Sequence, residues 1–287
     1  AQIVTTAAAL RAAGKAARDR GRRVGFVPTM GALHAGHASL IDLARTQADF
    51  VVVSIFVNPA QFGPHEDFAR YPRPIEADID LCRQHGAELV FNPPVEEIYP
   101  AGFQTYVEVA TLQRRWEGEQ RPGHFRGVAT VVAKLFHLVQ PDVAFFGQKD
   151  AQQCRIIEQM VADLAMPLTV VIGPTVREAD GLALSSRNVY LSPAQRQQAP
   201  VLWQALSLGR RLIEAGERDA DAVLAAMRRH LETAPDAVID YVAAVDHRTL
   251  EPLVRLAGPV LLHLVVRFGA TRLLDNLPLE VPAGETS

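Results

Sequence analysis

Two histidines three residues apart, His34 and His37, stand beside Gly31 and Gly36 in the stretch VPTMGALHAGH, directly after an apolar run that reads as a buried strand. If a helix begins near His34, both imidazoles project from one side of its first turn. Such a turn has backbone N–H groups without intrahelical partners and the positive end of the helix dipole, which together favour an anion. The glycines let a ligand approach the backbone closely. The chemistry that fits is polyphosphate binding, with imidazole donors stabilising negative charge as a phosphoryl group is displaced. The same pair would serve equally as a helix cap or as packed imidazoles under a sheet. HAGH offers two metal ligands and no third nearby, so no metal ligand is assigned.

Three later stretches carry compatible chemistry. In FVNPAQF, Asn58 and Gln61 are neutral amides suited to a polar uncharged or carboxylate ligand. An Asn-Pro turn capped by its own amides is the other reading. In FGQKDAQQ, Gly147 allows close approach, Lys149 supplies a cation for phosphate, and Asp150 either accepts from a ribose hydroxyl or caps the following helix. Gln153 lies one turn further along that helix. In GLALSSRN, Ser185, Ser186 and Arg187 set two hydroxyls beside a guanidinium, a group suited to oxyanions in a loop able to close over a ligand. RPGHFRGV adds Arg121, His124 and Arg126, either as a solvated turn or as a rim of the same site.

These stretches need a scaffold that brings loops together. Strand-length apolar runs recur at 24–28, 50–57, 88–92, 143–147 and 168–173, alternating with helical stretches at 37–48, 75–85, 126–139 and 150–164. The alternation predicts an α/β fold, a Rossmann-like doubly wound and mostly parallel sheet. Ligands of such sheets sit outside the carboxyl ends of the strands, where three of the candidate loops fall. Beyond about 175 the pattern changes to helices over 193–216 and 219–231 and strands over 238–246 and 260–268, a smaller α+β C-terminal domain. The expected division is a first, ligand-binding domain over 1–175 and a second domain over 176–287 that closes over the site.

At 287 residues with 48% hydrophobic and 21% charged residues, the chain has the composition of a globular protein with a sizeable core. A net charge of −3 with no dense basic block argues against a nucleic-acid footprint. Cys82 and Cys154 match no CxxC spacing and read as buried free thiols. The opening residues lack a secretory apolar core and no run reaches the ~18 apolar residues of a membrane span, so the expectation is a cytoplasmic protein without membrane partners.

Together the motifs PTMGALHAGH, SIFVNPAQF, RPGHFRGV, FGQKD and DGLALSSRN, followed by RLLDN, resemble those of the pantothenate synthetase family, ligases that join pantoate to β-alanine using ATP. The resemblance spans about residues 24–192 and continues more faintly toward the C-terminus. It implies a nucleotidyl-transferase fold shared with class I aminoacyl-tRNA synthetases, HAGH standing for the HIGH signature and LSSRN for KMSKS. It further implies that Met30, Gly31, Ala32, Leu33, His34, Ala35, Gly36 and His37 meet ATP, with both histidines on the phosphates and His37 as the proton donor. Gly147, Gln148, Lys149 and Asp150 would meet ribose and phosphates, Val176 the adenine, and Leu184, Ser185, Ser186 and Arg187 the triphosphate. Gln61 and Gln153 would hold pantoate, with Asn58 supporting that pocket. Catalysis would rest on His37, His34, Lys149 and Arg187, with magnesium carried by the ATP phosphates. One departure is Gln148, where many members carry Glu. The resemblance also implies a homodimer, for whose interface FVVVSIFV and YVEVATL are the strands to consider. A related small-molecule nucleotidyltransferase and a nucleotide-binding scaffold without chemistry are the competing functions; the neutral amides at 58, 61 and 153 favour a small hydroxy acid over a nucleotide acceptor.

Overall fold

A computed structural model describes residues 1–64, 66 and 68–282; the last five residues of the expected second domain lie outside the described range. The elements run β1 (Gln2–Val4), α1 (Ala7–Arg18), β2 (Val24–Thr29), α2 (Ala35–Arg45), β3 (Phe50–Ile55), α3 (Ile75–Gln84), β4 (Leu89–Phe91), α4 (Val95–Ile98), α5 (Glu117–Gln120), α6 (His124–Val139), β5 (Val143–Gly147), α7 (Ala151–Asp163) and β6 (Thr169–Gly173). They continue with α8 (Pro193–Gln198), α9 (Val201–Glu214), α10 (Ala220–Leu231), β7 (Ala237–Asp246), β8 (Gly258–Phe268) and β9 (Thr271–Val281).

Strands β1 to β6 form one sheet in the order β1-β4-β3-β2-β5-β6, every pairing parallel. A parallel sheet covered on both faces needs strands that are apolar throughout, and all six residues of β3 are buried. Alternation along the strands sorts side chains to the two faces. Val27, Val53, Val143 and Phe145 join Leu40, Ile41 and Ala44 of α2 and Cys82 of α3 in one core. Phe26 and Phe146 point the other way and meet Phe136 of α6 edge-on, each at 6.3 Å between ring centroids. The strand order reverses between β2 and β5, which makes the carboxyl ends of those two strands the crevice of this doubly wound sheet.

The second sheet is an antiparallel meander, β7-β8-β9, with a register shift between Ile239 and Tyr241. Val260, Leu262, Leu264, Val266 and Phe268 alternate along β8 into one core with Leu202 and Leu206 of α9 and Val223 and Met227 of α10. The chain divides into two compact bodies, one of Ala1–Gln148 and Gln152–Pro174, the other of Lys149–Ala151 and the residues from Thr175 onward. The three residues 149–151 therefore group with the distant C-terminal half.

The expected α/β class and its smaller α+β companion are both present. Two strands escaped the sequence reading. β1 is three residues with two exposed, and β9 interrupts its apolar positions with Arg272, Asp275, Asn276 and Pro278. The single helix expected over 193–216 is two, because Pro200 has no N–H to continue α8 and instead precedes the first turn of α9. Residues 50–55 of the run at 50–57 form β3, an interior strand between β2 and β4, and the stretch at 106–112, expected as a strand, is in none. Cys82 and Cys154 are buried thiols outside any disulfide, as expected. Among the described residues no helix is long and apolar enough to cross a membrane.

Candidate functional site

At the carboxyl end of β2 the chain reverses through Gly31 and Ala32, both at positive φ (83° and 50°). A non-glycine residue in that region carries strain, and something must hold it. Asp78 of α3 does so: its two carboxylate oxygens accept the N–H groups of Ala32 at 2.9 Å and Leu33 at 2.7 Å. Asp78 is only 2% exposed. Burial pushes its carboxyl above the ordinary range, and the two N–H bonds pull back without cancelling the rise. At Gly31 a Cβ would stand 3.0 Å from the Asp78 Oδ2, so glycine is needed there for space as well as for φ. The sequence reading missed Asp78. Its signal was an acid one turn before the buried Cys82, on the face of α3 that packs inward.

His34 is the N-cap of α2, and its Nδ1 accepts the Gly36 N–H at 3.1 Å. His37 answers from the first turn, its Nδ1 accepting the His34 N–H at 3.3 Å, a reciprocal capping arrangement. The rings lie 4.2 Å apart between centroids. Capping and chemistry, two readings of the same pair, turn out to be compatible. Because each Nδ1 accepts a backbone N–H, the hydrogen-bond network assigns the neutral tautomer with its proton on Nε2 to both rings. Gly36 is required by this geometry, since a Cβ there would approach the His34 ring to 2.9 Å.

After β3 the chain turns at Asn58, which is 1% exposed and fully engaged by protein. Its Nδ2 donates to Gln61 Oε1 (3.0 Å) and to the Gly127 carbonyl (3.1 Å), while its Oδ1 accepts from Ala60 N–H (3.2 Å) and Tyr99 Oη (2.7 Å). Asn58 therefore orients Gln61 through the Gln61 Oε1, which directs the Gln61 Nε2 donors away from that bond. Gly127 lets α6 seat against this turn, because a Cβ there would lie 2.2 Å from the Ala60 carbonyl oxygen.

The glycine-rich stretch before α6 is no solvated turn at His124, which is 8% exposed. His124 Nδ1 donates to the Gln61 carbonyl at 2.9 Å, and Arg121 donates to His124 Nε2 at 3.1 Å. Arg121 also grips both carboxylate oxygens of Glu66, at 2.8 and 2.6 Å. Burial alone would raise the Glu66 carboxyl; the bonds and charge of Arg121 outweigh it and hold the group below its ordinary value. Arg126 lies over the Tyr106 ring and near Glu108. On α7, Gln152 is buried, donating to the Leu112 and Arg115 carbonyls and accepting from Glu117 N–H, whereas Gln153 is half-buried. Two adjacent glutamines thus have separate uses, a distinction their identity could not reveal.

The second body gathers Lys149, Ser185, Arg187, Asn188, Arg272 and Asp275 around one pocket. Leu184 N–H donates to the Val176 carbonyl at 3.0 Å and Arg177 pairs with Ala183, so residues 176–184 double back and carry Ser185 to the pocket. Ser185 caps the short helical turn Ser186–Tyr190 by accepting from Arg187 N–H at 3.2 Å. Lys149, Arg187 and Arg272 beside the one hydroxyl of Ser185 make a site for an oxyanion. Asp150 is exposed. Asp275 and Asn276 end the motif RLLDN, to which the sequence attached no role, and Arg177 lies outside every motif. Arg177 clasps Asp275 with two bonds, at 2.6 and 2.8 Å, and stacks over the Trp203 ring at 3.8 Å.

The expected site residues therefore fall into two sets. The first body holds 30–37, Asn58, Gln61, Gly147, Gln148 and Gln153; the second holds Lys149, Asp150, Val176 and 184–187.

Residues 2–278 match the family described as Pantoate-beta-alanine ligase. A pantothenate synthetase of Moorella thermoacetica is 57% identical over 280 residues, 98% of this chain and 99% of that protein. One of Pelotomaculum thermopropionicum is 54% identical over 96% of this chain and 97% of its own length. Among solved structures, a pantothenate synthetase of Thermus thermophilus superposes with a TM-score of 0.92 at 50% identity, covering 96% of this chain and 99% of that one. A pantoate-beta-alanine ligase of Francisella tularensis, described as complexed with beta-gamma ATP and beta-alanine, gives 0.78 at 31% identity over 96% and 97% of the two chains.

Proposed function

This chain belongs to the pantoate-beta-alanine ligase family, and from that membership we propose how its residues divide the reaction. The protein is an enzyme, an ATP-dependent ligase that joins pantoate to β-alanine. In the first step a pantoate carboxylate oxygen attacks the ATP α-phosphorus, the bond to the β-phosphate oxygen breaks, and pyrophosphate leaves. In the second, the β-alanine amine attacks the acyl carbonyl of pantoyl adenylate, gives up a proton, and AMP leaves. No protein nucleophile takes part; the enzyme positions groups and stabilises developing charge.

The observation that carries the division is that both rings of the histidine pair accept a backbone N–H at Nδ1. With both Nδ1 atoms accepting backbone N–H groups, His34 and His37 address ligand through Nε2–H, the form that donates to phosphate oxygens. His37 donates its Nε2–H as a hydrogen bond to the departing pyrophosphate and stabilises the charge that develops there, and the main chain of residues 30–37 supports ATP beside it. Packing gives no reason for glycine at 147, where a Cβ would meet nothing closer than Leu40 at 3.9 Å, which favours a ligand against that main chain and Gln148. Lys149, Asp150 and residues 184–187 take ribose and triphosphate, and Val176 the adenine. Gln61 and Gln153 hold pantoate, the Nε2 donors of Gln61 suiting its oxygens, with Asn58 orienting Gln61 from behind. Magnesium, brought in with ATP as part of the substrate, would offset the negative charge of the phosphates, with Lys149 and Arg187 completing that task from the protein. The same reading makes the protein a cytoplasmic homodimer, which cell fractionation and light scattering would test.

The decisive experiment supplies ATP, magnesium, pantoate and β-alanine and follows products. Pantothenate, AMP and pyrophosphate in equal amounts support the scheme, with pyrophosphate appearing from ATP and pantoate before β-alanine is added. Activity undiminished by excess chelator would sink the magnesium assignment, and ADP with phosphate as products would sink the adenylate.

A further inference from the structure

The pocket of the second body holds a buried carboxylate, Asp275, on the side where an anion is expected to bind. A negative charge there opposes a phosphate unless it does something else. Its neighbour in β9, Asn276, donates from Nδ2 to the carbonyl oxygen of Lys149 at 2.8 Å, across 127 residues of sequence. Lys149 and Asp275 line the same pocket, where burial raises the Asp275 carboxyl above its ordinary range and the charges of Arg177 and Lys149 pull it back. Asp275 is itself immobilised: Arg177 holds both its oxygens and the Asn276 N–H donates to its Oδ1 at 2.8 Å. Arg177 in turn is pinned by the Trp203 ring and by the Gly181 carbonyl, with Gly181 lacking the Cβ that would strike that ring at 2.0 Å.

We infer that Asp275 and Asn276 are positioning residues for Lys149, Asn276 fixing its main chain and Asp275 drawing its ammonium into the pocket with Ser185 and Arg187. Lysine carries its charge on a flexible four-carbon stem, so neither its identity nor its strand neighbours place the ammonium. A side-chain amide on the carbonyl anchors the base of that stem, and a fixed carboxylate biases its tip. Once the triphosphate enters, its oxygens replace Asp275 as the partner of the ammonium. The inference rests on the assignment of Lys149 to ATP phosphates.

The test is a double-mutant cycle on the full-length enzyme, with steady-state constants for ATP and pantoate and single-turnover pyrophosphate release. Asn276→Ala lowers pyrophosphate release about tenfold, the factor of one lost hydrogen bond, and raises KM for ATP while KM for pantoate stays put. In a Lys149→Ala background the same substitution has no further effect. Asp275→Asn covers the case in which Asn276→Ala does not fold. Removing a negative charge from an anion pocket would tighten ATP by electrostatics alone; positioning demands the opposite, weaker ATP and slower release. Tighter ATP in Asp275→Asn, or an equal Asn276→Ala loss with and without Lys149, overturns the inference while leaving Lys149 its phosphate role. Wild-type release by Lys149→Ala itself overturns that role, and the inference with it.

Discussion

Replacing Asp78 with Ala or Asn tests whether the histidine loop is held from beneath. Asp78 accepts two main-chain N–H groups in a turn whose Ala32 sits at φ 50°. Hydrogen bonds to a charged group are worth about 1.5 to 3 kcal/mol each, so the pair stabilises the turn by about 3 to 6 kcal/mol. Against this stands the cost of keeping the carboxylate buried, visible in its raised pKa. A net loss of about 2 to 4 kcal/mol is expected, and if the turn must be ordered for His34 and His37 to meet ATP, adenylate formation slows by about 30- to 1000-fold. Asp78→Asn is nearly as damaging as Asp78→Ala, because the amide Oδ1 serves one N–H while its Nδ2 faces the other, donor against donor. Single-turnover pyrophosphate release reads the rate, and thermal melting confirms that the variants are folded.

The pH dependence supplies a second reading of the same residue. As pH falls through the raised Asp78 pKa, one carboxylate oxygen becomes a donor and an N–H loses its partner, so wild-type adenylate formation declines at acid pH. That component is missing from Asp78→Asn. Global stability moves the other way, since a carboxyl whose folded pKa is raised binds protons more tightly in the native state, and its contribution grows as pH drops toward 3.8. Slower chemistry without lower stability is the signature. Wild-type release rates in folded Ala and Asn variants would refute the reasoning.

Other outcomes follow from the same geometry. His37→Ala reduces pyrophosphate release at least about a hundredfold, by analogy with the loss of one oxyanion donor, and leaves the melting temperature within a few degrees; a near-normal rate removes His37 from the chemistry. Tyr99→Phe deletes the 2.7 Å bond to Asn58 Oδ1 and, acting through Gln61, raises KM for pantoate about fivefold with KM for ATP unchanged, measured by initial rates. His263 in β8 is neutral in the fold because burial lowers its pKa from 6.5 to about 3. A lowered histidine pKa means the unfolded chain gains the proton first, so stability of the second body falls as pH drops from 6.5 toward 3, by up to roughly 5 kcal/mol. His263→Leu flattens that slope in urea titrations at about pH 7 and about pH 4, and an unchanged slope would show that other groups carry it.

Much of the scaffold was legible because its signals are local. A short run as apolar and β-branched as FVVVSI reads as an interior strand, and glycines and polar residues at strand ends mark where loops leave the sheet. The motif residues were legible for the same reason: His34, His37, Lys149 and Arg187 carry chemistry in their side chains, wherever the chain takes them. The helix break at Pro200 was also written locally, yet helix-forming residues on both sides of it, AQRQQ before and VLWQAL after, masked it. β9 stayed hidden because its Arg, Asp and Asn side chains serve the pocket and the Lys149 main chain, which breaks the apolar alternation a strand is recognised by.

Tertiary structure alone decided how each group is used. Nothing in HAGH says which ring nitrogen keeps its proton; that depends on two backbone N–H groups that exist as donors only once α2 has begun. Asn58 and Gln61 look alike as amides, and burial with four bonds makes one a support and leaves the other oriented by it. Asp78 meets its turn from 45 residues away and Asn276 reaches Lys149 from 127. Residue type therefore set which reactions the chain can attempt, while long-range packing set the tautomers, orientations and charges, because those depend on partners that only the folded chain brings within hydrogen-bond distance.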